Sequence, residues 1–489
     1  MSFSAAASAR ADLVLANARV GLGGAPRQVL IAGGRVAEVR AEPSGVRGAE
    51  VVDLQGATLL PGLWDAHVHS VQWAQARRRI DLSGARSARE AAALVAQSPR
   101  TPEPVMGFGF RDALWPDRPH KSLLPATHPV VLISNDLHMI WLGPAALALI
   151  GRPDHPNGVL RDGECYDALA ALPAPPTARL DAWVAEATAA AAELGVVGLR
   201  DFEFADNVTD WTRRAGERDV AVRVACSIPR NRLEEAIARG LRTGDPVPGS
   251  DGLLEVGPVK IFLDGSLNTR TAYCDDPYPG SAGHGRLEMS PEELAETMAL
   301  AARHGLHPAV HAIGDLAASI ALDAFELVGC PGRIEHAQLV RAGDFPRFAR
   351  PGLVASVQPA HAPDDREVAD DQWRGRTSRA FAYAGLLAAG ARLELGSDAP
   401  VSPLDPWDGI ASAVARTDDE RPPWHPEQAI PLRDALAAAA GGRTGVRAGD
   451  PADLMVLERD PSLLGPRELR RPAVLGTLLG GRWTHRRGI

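Results

Sequence analysis

His67 and His69 stand two residues apart at the end of Leu59-Leu60-Pro61-Gly62-Leu63-Trp64-Asp65-Ala66. In an extended strand that spacing turns both imidazoles to one face, which is half of a metal site. Taken alone, such a pair reads equally well as two ordinary polar histidines. Four further residues of metal-binding type lie in or end apolar runs downstream. Lys260 sits within Val256-Gly257-Pro258-Val259-Lys260-Ile261-Phe262-Leu263, His311 follows Pro308-Ala309-Val310, His336 follows Gly332-Arg333-Ile334-Glu335, and Asp398 follows Leu393-Glu394-Leu395-Gly396-Ser397.

Lys260 stands out by its chemistry. Of the 52 basic residues only Lys121 and Lys260 are lysine, so a chain that otherwise uses arginine keeps an amine inside an apolar strand. A buried ammonium is costly to hold, and lysine, unlike arginine, can shed its proton and act as a nucleophile. Such an amine could add carbon dioxide and become a carbamate, an anionic ligand able to bridge two metals. The plainer reading pairs Lys260 with Asp264 or Glu255.

These residues need elements that bring strand ends together. Short apolar runs alternate with Ala-rich helical stretches, Asp181 to Leu194, Pro291 to His304 and Phe381 to Ala389, over nearly 400 residues. That rhythm implies βα units in a parallel barrel or a doubly wound sheet, and in a barrel the C-terminal strand ends converge on one pocket. Residues 71–176 break the rhythm with Pro and Trp and read as an excursion or lid. Alternating strands in 11–54 and again in 452–479 are too short to fold apart, so the two ends should complete one β-domain.

Composition narrows the function classes. The chain has 489 residues and a formal charge of -9, with no basic run to track a phosphate backbone, which argues against nucleic acid. No signal peptide or membrane span is legible, and four widely spaced cysteines fit a reducing cytoplasm rather than a disulfide framework. The expected partner is a small-molecule substrate, with a homodimer left open.

Taken together, Pro61 to His69, Val259 to Leu267, His311-Ala312-Ile313-Gly314-Asp315, Arg333 to Gln338 and Gly396-Ser397-Asp398-Ala399-Pro400 resemble the amidohydrolase superfamily. Within it they resemble the amidohydrolase 3, or YtcJ-like, family that includes N-substituted formamide deformylases. The resemblance spans nearly the whole chain. It implies a distorted (β/α)8 TIM barrel over residues 59–445 and a small β-sandwich built from 1–58 and 446–489. It also implies the ligand set His67, His69, carboxylated Lys260, His311, His336 and Asp398, holding one or two divalent metal ions, with two favoured and zinc the default. The chain departs from the family after the lysine strand, in Ser266-Leu267-Asn268-Thr269-Arg270-Thr271, and at Trp141-Leu142-Gly143-Pro144. Both departures lie where substrate would be gripped.

The implied chemistry is hydrolysis of an amide, N-formyl or cyclic amide C–N bond by a metal-activated water. Asp398 would move the proton to the leaving nitrogen, and Lys260 would serve through its carbamate. Ester, lactone or phosphoester hydrolysis at the same site is the alternative, and a silent binding protein the third. Candidate substrate contacts are His138, Arg270, Gln358, His361 and Trp115. Asp315 reads as a helix cap or as an orienting partner for His311, with the cap favoured.

Overall fold

A computed structural model describes residues 11–41, 48–98, 103–110, 112, 115–134, 139–161 and 163–489. Eight parallel strands follow one another around a barrel: β1 (Leu63–Val68), β2 (Val196–Asp201), β3 (Arg223–Pro229), β4 (Leu254–Phe262), β5 (Pro308–Ala312), β6 (Gly332–His336), β7 (Leu353–Val357) and β8 (Arg392–Leu395). Each pairs with the next in chain order, as βα units dictate. The strands are buried on both faces, which is why they read as continuous apolar runs rather than alternating ones.

The ring closes at a seam between β1 and the segment after β8. Asp398 donates its amide to the His67 carbonyl at 2.8 Å, His69 donates to the Ala399 carbonyl at 2.9 Å, and Val68 bridges Ala399 in parallel. The Asp65 carboxylate laces the same seam, accepting from the amides of His67 and Ser397. A Cβ at Gly396 would lie 2.6 Å from the His67 nitrogen, so only glycine lets the two strand ends approach this closely.

The helices that back the strands carry ordinary signals. The helix Pro291–Arg303 starts with proline after a Ser290 cap that accepts from the Glu293 amide, and it buries Leu294, Met298 and Ala301 on one face. The helix Asp315–Val328 ends at Gly329 in the left-handed conformation.

Both termini build one eight-stranded sheet, as expected. Its order is Arg482–Arg486, Val474–Leu479, Leu454–Leu457, Thr58–Pro61, Leu13–Val20, Pro26–Ala32 and Arg35–Arg40, with Glu50–Asp53 beside Leu13–Val20. Leu13, Leu15, Val29, Leu59, Leu454, Val456 and Leu478 form its core.

Residues 74–184 form a compact unit of their own, so the irregular texture of this segment hides a folded body. A five-stranded sheet runs Val159–Arg161, Met139–Leu142, Val130–Ser134, Val105–Phe110 and Ile80–Asp81. Along Val130–Ser134 the side chains alternate between two cores: Val130 and Leu132 join Phe110, Trp141 and the helix Ala88–Ala96, while Val131 and Ile133 join Leu142, Leu147 and Leu160. Among the described residues no helix is long and apolar enough to cross a membrane.

Candidate metal centre

The barrel seam assembles the site. His67 and His69 end β1, and the backbone bonds that close the ring set Asp398 opposite them. His69 Nε2 lies 3.5 Å and His67 Nε2 3.6 Å from Asp398 Oδ1, and the ligand atoms of all three residues lie within 4.8 Å of one another. His336, at the end of β6, brings its ring centroid within 5.0 Å of His67 and 4.5 Å of His311. Asp398 and His336 hold left-handed backbones, φ +58° and +76°, a conformation that side chains other than glycine adopt when surrounding structure over-determines it, as it does at functional sites.

Each buried imidazole is oriented by a partner on its far side. His67 Nδ1 meets Glu335 Oε2 at 2.7 Å, His336 Nδ1 meets Gln358 Oε1 at 2.9 Å, and His311 Nε2 meets the Gly265 carbonyl at 3.0 Å with Asp264 Oδ1 at 3.5 Å. Because all three acceptors are oxygens, the proton sits on that nitrogen and the other nitrogen keeps its lone pair. Burial, reinforced by the Lys260 charge, pushes His67 down to about 4 and His311 to about 3. Burial and His311 likewise hold His336 well below the usual range. All three are therefore neutral near pH 7, the form that binds metal. His311 Nδ1 and His69 Nδ1 are buried without a hydrogen-bond partner. Unpartnered imidazole nitrogens of this kind beside a carboxylate fit a divalent transition metal.

The carboxylates are arranged to stay ionised. Burial would raise Asp398, yet the imidazoles of His67, His69 and His336 hold it well below the usual range. Glu335 is buried too, and Arg333, bonded to it at 2.7 Å, keeps it an anion; Arg333 also bonds Glu394 and the Ala66 carbonyl.

Lys260 Nζ lies 3.1 Å from His67 Nε2 and 4.8 and 4.9 Å from the Phe202 and Phe262 rings. Burial pushes the amine down to about 8 against the opposing pull of Glu335 and Asp398. Neither carboxylate expected to pair with it does so. Asp264 accepts the amides of Tyr273, Ile313 and Gly314, and Glu255 faces Arg200.

The expected substrate contacts separate in space. Gln358 reaches the centre through His336, and buried His361 meets Gln338 with Nδ1 at 3.4 Å. Arg270 is exposed, on a loop whose Thr269 and Thr271 line a cavity of about 980 Å³ that also reaches Lys260 and His311. Trp115 stacks on Phe110 and donates to the Ala85 carbonyl within the 74–184 unit. His138 lies outside the described residues. Asp315 neither caps its helix nor meets His311: the cap is Gly314, and Asp315 accepts the Asp275 amide. The imidazole is served instead by the Gly265 carbonyl, with Asp264, which in the sequence looks like no more than a salt-bridge partner for Lys260, 3.5 Å away. Glu335 is not marked by the metal-ligand pattern either. Its signal is a different one: two charged residues at alternate positions of an otherwise apolar strand, Arg333 and Glu335, indicate a buried pair.

Comparison with known proteins agrees with this fold. The chain is 28% identical to the N-substituted formamide deformylase of Arthrobacter pascens, over 96% of this chain and 97% of that protein. It is 27% identical to the putative amidohydrolase YtcJ of Bacillus subtilis, over 90% and 91%. The fold matches an uncharacterized metal-dependent hydrolase from Pyrococcus horikoshii with a TM-score of 0.78 and 25% identity, over 93% of this chain and 99% of that one. The sequence model of the amidohydrolase family matches residues 50–485, and with that match spanning the whole barrel and the C-terminal strands, this chain belongs to the amidohydrolase family.

Proposed function

We propose that this amidohydrolase cleaves a carbon–nitrogen bond of a small-molecule amide, N-formyl amine or cyclic amide, with water as the nucleophile. One observation carries the reading: neutral, buried imidazoles and the Asp398 carboxylate converge at the barrel seam. His67, His69, His311, His336, Asp398 and a carboxylated Lys260 would hold one or two divalent ions, two favoured and zinc fitting best. Bound metal supplies polarisation of the carbonyl and a water that is acidic near neutral pH.

The residues of the chain supply the rest. Asp398, ionised at neutral pH, takes the proton of the attacking water and returns it to the leaving nitrogen. Glu335, Gln358 and the Gly265 carbonyl hold the imidazoles in one tautomer and orientation. The Lys260 ammonium gives up one proton, and the neutral amine then adds to carbon dioxide, forming an N–C bond and releasing a second proton to solvent, so that a buried cation would become an anion. The formamide deformylase among the relatives supports N-formyl amines as the first substrates to try.

Purified protein is expected to carry close to two equivalents of divalent metal and to turn over formamides or acyl amines in a panel that includes lactones and phosphotriesters. His67→Ala and Asp398→Ala should each lower kcat by at least about 10³-fold with circular dichroism unchanged. Wild-type turnover in either variant removes the site assignment. Turnover confined to lactones or phosphotriesters moves the reaction to ester chemistry.

A further inference from the structure

Among the described residues few large apolar side chains are exposed, and one of them stands beside a proposed ligand. Phe202 and Phe204 follow Asp201 at the end of β2, and Phe262 ends β4. Buried Phe202 stacks on His67, with ring centroids 4.2 Å apart at 23°. Phe204 stacks on His69 at 5.3 Å and 18°, and on Phe262 at 5.7 Å and 25°. It is nevertheless 60% exposed. An aromatic face left in water next to a reactive centre gives up hydrophobic burial that a ligand can recover.

All three rings line the cavity of about 980 Å³ that reaches Lys260 and His311, a size and apolar character suited to a small ligand. Its arginines and hydroxyls are already engaged. Arg286 pairs with Glu288, Arg230 with Glu293, and the hydroxyls of Ser266, Thr269 and Thr271 bond one another at 2.6–2.8 Å. Neither arginine lining the cavity is left to receive a carboxylate.

We infer that this cavity takes the non-reacting substituent of the substrate, that the substituent is bulky, apolar and uncharged, and that Phe204 selects it by stacking beside His69. The inference rests on the reading of the seam as an amide-hydrolysing site, and it adds what flanks the scissile bond. A substrate bearing a carboxylate there would lose its hydration and find both lining arginines already paired.

The test uses the full chain and three ureas that resist hydrolysis: N-methyl, N-carboxymethyl and N-(2-phenylethyl)urea, followed by calorimetry. The phenylethyl compound should bind on the order of 10–100-fold more tightly than either of the others. Phe204→Ala should cut that preference about tenfold or more, and Phe204→Leu, which keeps apolar bulk, should retain most of it. Equal affinities, tighter binding of the carboxymethyl compound, or a preference untouched by Phe204→Ala overturns the inference. The matching formamides are assayed for turnover alongside. If none is hydrolysed while the urea preference and its loss in Phe204→Ala stand, the proposed reaction fails and the cavity assignment holds. Hydrolysis without the preference leaves the reaction standing and removes the cavity assignment.

Discussion

Burial makes the Lys260 amine, 3.1 Å from an imidazole nitrogen, costly to hold as a permanent cation, a cost that the two phenyl faces beside it offset only in part. If its role is to become an anion, Lys260→Arg keeps length and charge yet cannot form a carbamate, so the variant should bind less than about one metal equivalent and lose most activity. Lys260→Ala should lose activity as well and recover part of it when short carboxylic acids are added. Two metals and normal turnover in Lys260→Arg would show that the amine is a structural cation. The positions of the candidate ligands were legible because each sits in or closes an apolar run, a context in which a polar residue needs a reason. Their supporting residues were not. Glu335 meets His67 across 268 positions, and that pairing follows from which barrel strands face each other, a fact no local pattern carries.

At the scale of elements, a ladder of charges, buried but for half-buried Arg200, ties alternate strands of the barrel: Glu335, Arg333, Glu394 and Arg200, from β6, β8 and β2. Burial would raise the Glu394 carboxyl, but Arg200 and Arg333 overcome it and hold it at about 2, against 4.5 when unfolded. A carboxylate depressed in the folded state stabilises fully above pH 4.5, and that contribution, about 3 kcal/mol, is lost as pH falls toward 2. Glu394→Gln should therefore lower stability by about 3 kcal/mol at pH 7, read as a urea midpoint, with the gap to the native chain narrowing at pH 3. A gap that is constant with pH would remove the ion pairs as its cause. The helices at Pro291 and Asp315 and most barrel strands were readable from period and punctuation. β3 was not, because Arg223-Val224-Ala225-Cys226-Ser227-Ile228-Pro229 carries no residue that reads as a ligand.

Over the whole molecule, the joining of the two termini was visible as matching strand texture, whereas the sheet inside 74–184 was not. Its strands are short, one of them holds two glycines, and with a core on each face their apolar residues show no alternation. The terminal sheet makes its own prediction. Ending the chain at residue 451 would strip three strands, bare Leu13, Leu15 and Leu59, and leave Thr58–Pro61 as an open edge. Such a protein should partition to the insoluble fraction on expression, and a soluble form with native circular dichroism would contradict that expectation.

The seam between β1 and β8 also bears on how the protein is made. Asp65 and Ser397, which lace it, are 332 positions apart in the chain. At translation rates of about 5–20 residues per second, roughly 15–70 s separate the emergence of the first histidines from that of the aspartate they face. Until then the nascent chain shows the ribosomal environment an incomplete donor set with an open barrel edge. Under the proposed ligand set, full occupancy of the centre would have to wait until the last strand has emerged, and during that interval a growing chain would be most exposed to the wrong metal and to edge-to-edge association with its neighbours on the same message.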